Sequence, residues 1–286
     1  PTYCMNVMCA STRRQQAVTP LCWRKLAARE QLTIGGGAAN VAPMLPVRDH
    51  NPSQSTPYVT YTLMALNVLI FLMGYLILTT DQMLSQFYYD YALIPARISA
   101  GENYIALITS MFLHAGLMHL AGNMLFLWIF GDNLEDKMGP IWFLIFYIAS
   151  GVGAGLVHVF IDLYTPIPLV GASGAIAGVM GGYLLLFPKA KVDIFIFLIV
   201  FIRILPIPAW VMLGLWFAIQ LFSGISTDIA DGGVAYWAHA GGFIVGFVLT
   251  IPLWLRLGAG GWWVQTDFHP PHPDATYSSR FPVIRR

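Results

Sequence analysis

The chain has 286 residues, of which 57% are hydrophobic and only 10% charged, well below the quarter that is charged in an ordinary soluble domain. Its mean hydropathy of +0.65 is that of a multi-span membrane protein. A net charge of +1 without a basic patch gives no footing for nucleic acid. All three cysteines (Cys4, Cys9, Cys22) precede the apolar part, which excludes a disulfide framework, a thiolate nucleophile or a cysteine metal site there.

Residues 1–43 differ in composition from the rest of the chain, and Met44-Leu45-Pro46-Val47-Arg48-Asp49 reads as a natural start. The first 43 residues are expected to be an upstream-translated or poorly ordered extension. Arg13, Arg14, Arg24, Lys25 and Arg29, with Glu30 as the sole acid, also fit an organelle-targeting presequence. A first span is predicted over 59–79, uninterrupted by charge and about as long as a bilayer requires. Asp81, Asp90, Arg97 and Glu102 then stand among aromatics, so 81–103 reads as a partly folded loop at the membrane surface. Further spans are predicted over 116–131, 141–160, 171–187 (stopped by Pro188), 209–223 and 234–255. Residues 192–208 are apolar but broken by Arg203, Pro206 and Pro208, and read as interfacial or re-entrant. The expected fold is therefore an all-α, polytopic bundle of six transmembrane helices within 44–260. Residues 261–286 read as a mobile cytoplasmic tail, with Trp262 and Trp263 as an interfacial anchor.

Lys and Arg give the orientation. With the amino terminus inside, Arg48, Lys137, Lys189, Lys191, Arg256, Arg280, Arg285 and Arg286 fall on the cytoplasmic side, and Arg97 alone falls opposite. Both termini are thus expected in the cytoplasm, in a membrane of the bacterial plasma (inner) type. Ser173, opening the fourth span, and His239, near the start of the sixth, then lie close to the outer face.

Polar groups in hydrocarbon are costly and usually functional. Ser173 sits in Gly171-Ala172-Ser173-Gly174, where two stripes of small residues begin: Gly174, Gly178 and Gly182, and Ser173, Ala177 and Gly181. Ala235, His239, Gly242 and Gly246 share a narrow arc of the sixth span. Packed stripe to stripe, the two helices would bring the Ser173 hydroxyl to the His239 imidazole, as a general base activating an alcohol requires. Small-residue stripes alone are mostly packing, and a lone intramembrane His is often structural or part of an ion pathway.

The second span adds His119 and Asn123, four apart on one helix face. Beside the Ser173 backbone N–H, both could donate to an oxyanion. His114 lies about 140° round from His119 and makes no obvious metal pair with it; a loop-fixing hydrogen bond is its expected role. No Asp or Glu lies within a span near His239, since Asp228 and Asp231 precede its helix as solvated loop charges. The site therefore reads as a Ser–His dyad whose imidazole is held by helix packing, with no cofactor or metal.

These three motifs, in this order and spacing, resemble the rhomboid intramembrane serine proteases over about residues 44–255: His114, His119 and Asn123, then Gly171-Ala172-Ser173-Gly174, then Ala238-His239 with Gly242. The resemblance implies a six-helix rhomboid bundle with a water-filled cavity open to the outer side. It implies Ser173 as nucleophile and His239 as base, with His119 and Asn123 assisting the oxyanion and Gly171, Gly174 and Gly242 in support. Transmembrane proteins in the bilayer would be the substrates, and no cofactor is required. Glu135 matches a family acid of structural role; a solvated cytoplasmic charge is its alternative. Two positions depart from the family pattern. Ile105-Ala106 stands where many members carry Trp-Arg, so Tyr104 or Glu102 is expected to anchor that loop instead. Ala177 stands where some members place a Tyr that stacks on the histidine.

Overall fold

The computed structural model describes residues 44–198, 201–226, 235–269, 271 and 273–275. The extension 1–43 with its cysteines, Asp228, Asp231, Val234 and the tail beyond 275 lie outside the described residues. A strand, β1 (Met44–Asp49), precedes the first long helix, α1 (Tyr58–Ile77). Three short helices come next, α2 (Asp81–Tyr91), α3 (Pro95–Ser99) and α4 (Ala106–Thr109), the last continuing as a 3-10 turn over Ser110–Phe112. The remainder comprises α5 (Leu117–Met138), α6 (Pro140–Ile161), α7 (Ser173–Leu186), a hairpin of β2 (Lys191–Leu198) and β3 (Phe201–Pro208), α8 (Ala209–Ser226), α9 (Tyr236–Leu257) and α10 (Gly260–Thr266). Between α5 and α6 the break is local chemistry: Gly139 takes φ +78° and Pro140 opens the next helix.

The bundle belongs to an integral, multi-pass membrane protein whose crossing elements are all helical. Four helices (α1, α6, α8 and α9) are long and apolar enough to span, and α4–α5 makes a fifth if its two parts are counted together across a 96° bend. Helix length thus gives four or five spans where hydropathy suggested six. The difference is α7, whose 14 residues rise only about 21 Å against a hydrocarbon core of about 30 Å. Every residue of α7 except Ser173 and Leu184 is buried, so its length need not match the lipid. A helix apolar on all sides belongs inside the protein.

Helix α7 lies against α9 backbone to backbone. A Cβ added to Gly242 would collide with the Gly174 carbonyl, and one added to Gly246 would collide with the Gly178 backbone. A Cβ on Gly174 would stand 2.7 Å from that of Ala154 on α6. The two predicted stripes do face each other, and their lack of side chains is what lets dispersion contacts hold the pair.

Of residues 192–208, read as interfacial or re-entrant, those described (192–198 and 201–208) are β-strand. They build a hairpin whose first strand also pairs with β1, giving an antiparallel sheet of order β1-β2-β3. The prolines that suggested a broken membrane segment, Pro206 and Pro208, lie in the edge strand β3; Pro46 lies in the other edge strand, β1, and central β2 has none. The sheet sits at the far end of α7 from Ser173. There the Asp193 carboxylate accepts from Arg48 Nε at 2.7 Å and lies 2.8 Å from His50 Nε2. Asp49 accepts from the Tyr183 hydroxyl at 2.8 Å and from Asn133 Nδ2 at 3.0 Å.

The described part of the expected mobile tail is docked. Trp263 Nε1 donates to the Leu185 carbonyl at 3.0 Å, Lys191 pairs with Asp274 at 2.9 Å, and Ala275 N donates to the His50 carbonyl at 3.0 Å. The surface segment 81–103 is more helical than expected. Its anchors are the Thr109 hydroxyl on the Tyr91 carbonyl (2.7 Å), Asn103 on the Asp90 carbonyl (3.0 Å) and Arg97, which lies over the Tyr89 ring and pairs with Glu102. Tyr104 is left exposed.

Candidate active site

Ser173 is the first residue of α7 and His239 lies on the first turn of α9, so the close crossing of these helices sets their separation. Ser173 Oγ is 2.8 Å from His239 Nε2. The segment leading into α7 is fixed on both sides. Leu93 and Leu169 exchange backbone hydrogen bonds at 3.1 and 2.7 Å, and Gly171 N donates to the Ser110 carbonyl at 2.9 Å. Gly171 has φ +123°, a region that side chains rarely enter. The space its missing side chain leaves is taken by α5: an added Cβ would lie 2.8 Å from His119 Nε2 and 3.6 Å from Asn123 Nδ2. His119 and Asn123 therefore converge two residues before Ser173.

Asn123 is buried, and neither its Nδ2 nor His119 Nδ1 has a hydrogen-bond partner among the described residues. Buried polar groups are nearly always paired, so the unpaired Asn123 Nδ2 in this region leaves a donor open. The loop-fixing hydrogen bond expected of His114 is present only as a weak contact with the Phe112 backbone. Its buried ring makes no well-formed bond through either nitrogen and stands edge-on to His119 at 5.2 Å. Its backbone carbonyl is held only by Tyr88 Oη at 3.4 Å.

Glu135 belongs to the other end of α5. It is 3% exposed and accepts from Val59 N, Thr60 N and Thr60 Oγ1 at 2.8–2.9 Å. It caps the amino end of α1, satisfying backbone donors that no residue of α1 itself reaches. A solvated loop charge it is not, because α5 runs on through Met138 where hydropathy ended the span at 131.

Two further residues escaped the sequence reading. Gln220 of α8 is 7% exposed, and its Oε1 lies 2.9 Å from His239 Nδ1. One turn earlier, Trp216 packs on the same imidazole with ring centroids 5.9 Å apart. The available signal was a single amide within an otherwise apolar span. Among the described residues, no group of three or more His, Cys, Asp or Glu is arranged to hold a metal ion. Chemically, the site offers an alcohol in contact with an imidazole, and donors unpaired nearby.

Comparison with known proteins places this chain in a family. The Rhomboid domain model matches residues 101–256, just over half of the chain. Rhomboid protein 1, mitochondrial, of Saccharomyces cerevisiae is 33% identical over 148 residues, covering 50% of this chain and 40% of that protein. Rhomboid protease GluP of Bacillus subtilis is 41% identical over 87 residues, covering 30% and 16% respectively. Rhomboid-like protein 11, chloroplastic, of Arabidopsis thaliana is 28% identical over 254 residues, covering 86% and 84%. The chain belongs to the rhomboid family. It spans two fifths or less of the first curated relatives it matches.

Proposed function

We propose that this protein is an intramembrane serine endopeptidase that cleaves transmembrane segments near the outer face through Ser173 and His239. The observation that carries the reading is the 2.8 Å contact of Ser173 Oγ with His239 Nε2, with the unpaired Asn123 Nδ2 and His119 Nδ1 in the same region. In this scheme His239 Nε2 takes the Ser173 proton as Oγ attacks the substrate carbonyl carbon. The resulting oxyanion is stabilised by His119, Asn123 and the Ser173 N–H. Collapse breaks the C–N bond as His239 returns the proton to the leaving amine. A water then attacks the acyl ester, giving its proton to His239, and Ser173 regains a proton as the acid product leaves.

Gly171, Gly174 and Gly242 support the site by close approach, and His114 supports it by packing on His119. The six-span topology places both termini in the cytoplasm, in a membrane of the bacterial plasma (inner) type, with α7 as an enclosed fourth crossing. It draws support from the one-sided distribution of Lys and Arg. A peptide bond inside a helix is hydrogen-bonded and shielded, so substrates must unwind locally. Gly, Pro or Ser near the cut is expected to favour cleavage.

The test is cleavage of a single-pass transmembrane substrate by purified protein, with fluorophosphonate labelling alongside. Wild type should cleave and label, and Ser173→Ala should do neither while keeping its melting temperature. Cleavage by Ser173→Ala at the wild-type rate ends the assignment. An inert client-binding member and a small transporter both predict an unlabelled wild type.

A further inference from the structure

Taking Ser173 and His239 as nucleophile and base, we propose that Gln220 is a third, positioning member of the site. Its amide oxygen fixes the tautomer and the ring plane of His239. A neutral amide buried in an apolar helix is costly unless it is hydrogen-bonded. The Gln220 side chain is buried at 7% exposure and its Oε1 lies 2.9 Å from His239 Nδ1.

The proton arrangement is dictated by the pair of contacts on the ring. His239 has Ser173 Oγ at Nε2 and Gln220 at Nδ1. With the Gln220 oxygen inward, Nδ1 carries the hydrogen and the Nε2 lone pair faces the Ser173 hydroxyl, as a general base requires. With the amide reversed, its NH₂ would donate to Nδ1 and the hydrogen would move to Nε2. That ring could no longer accept the Ser173 proton. Only the first arrangement is consistent with catalysis.

Helix α8 contributes twice. Trp216, four residues before Gln220 and on the same face, packs its indole on the His239 ring at 5.9 Å with the planes 34° apart. Helix α7 presents only the methyl of Ala177 one turn after Ser173, so the aromatic wall comes from α8. Among the described residues, the other titratable groups that act on His239 are His119 of α5 and His158 of α6. An amide holds the ring without adding charge, so its removal costs less than the loss seen when a catalytic histidine is locked in the wrong tautomer.

The experiment compares the full-length wild type with Gln220→Met, which keeps length and drops the acceptor, and with Gln220→Glu, which restores an acceptor. On a transmembrane test substrate, Gln220→Met should lower kcat about 10–100-fold with KM changed less than about twofold, and Gln220→Glu should recover most of the loss. Nitrogen-15 NMR of histidine-labelled wild type should give His239 protonated at Nδ1 and bare at Nε2. That readout needs no variant, so it decides the matter if Gln220→Met does not fold. The role is overturned by Gln220→Met at wild-type kcat, by a loss confined to KM or to melting temperature, or by an Nε2–H ring in wild type. A wild type inert toward both substrate and fluorophosphonate overturns the peptidase reading itself and this role with it. An active wild type carrying any of the other results overturns only the role of Gln220.

Discussion

The two ends of α7 bury comparable amounts of polar chemistry and treat it in opposite ways. Around Tyr183 the groups are saturated: Asp49 is bonded to Tyr183 and Asn133, Asp193 meets Arg48 and His50, and Glu135 meets three donors of α1. Around Ser173, buried nitrogens of His114, His119, Asn123 and His158 make no well-formed hydrogen bond among the described residues. The saturated end is not perfect, since Asn51 Nδ2, Trp254 Nε1 and Trp262 Nε1 are also unpaired. The contrast still separates two uses of polarity. Saturated groups hold the fold together, whereas unsatisfied ones beside Ser173 are what the proposed reaction would use to bind a substrate oxygen.

The strongest way to break this contrast is Ser173→Ala, expected to lower kcat by at least about 10⁴-fold with no change in melting temperature. Asn123→Ala should lower kcat by about 10²–10³-fold while costing little stability, because its Nδ2 makes no hydrogen bond among the described residues. Peptidase kinetics and thermal melting on the same preparation check both. Glu135→Ala should do the reverse: about 3 kcal/mol of stability lost, with kcat per labelled Ser173 unchanged. If Glu135→Ala instead kills activity in a protein that melts normally, the two ends are not separate in function. Gly246→Val should cost about 1–3 kcal/mol by forcing α9 off the Gly178 backbone.

The smallest effect is a slope with pH. Burial is the main force pushing the Asp49 carboxyl well above the ordinary carboxylate value, with the nearby Asp132 charge adding to it. The folded chain therefore keeps this proton to higher pH than the unfolded chain does. The contribution is fully present below the ordinary carboxylate value and is lost as pH rises toward the folded value. Asp49→Asn should remove that slope, so its melting temperature should gain on wild type as pH rises above about 4. Parallel melting curves across the pH range would refute the buried neutral carboxyl.

The sequence carried the helices well, because uninterrupted apolar stretches such as the one that became α1 have no competing reading in a bilayer. The Ser173–His239 meeting was legible for a related reason: glycine and alanine stripes on α7 and α9 allow one close approach, and it brings those two residues together. The sheet was not legible. Val192 to Pro208 is apolar and interrupted by proline, and those properties fit a membrane surface as well as an edge strand. Nothing local reveals that β1, nearly 150 residues earlier, pairs with β2 in the register Met44↔Ile196. The end of α5 was misplaced because Asp132, Asn133 and Glu135 read as solvated until α1 and β1 are laid against them. Gln220 showed only as a lone amide in an apolar span, its partner being a ring on another helix.

The β1–β2 pairing also makes the amino-terminal segment a structural component of a later part of the chain. Proteolytic nicking after Asn51, or expression starting at Tyr58, would strip the inner strand of one neighbour and expose its edge to other chains. The same cut would deprive Asp193 of Arg48 and His50, and Ala275 of its docking carbonyl on His50. A shortened preparation could thus aggregate while every helix of the bundle is still encoded, and tags belong upstream of Met44.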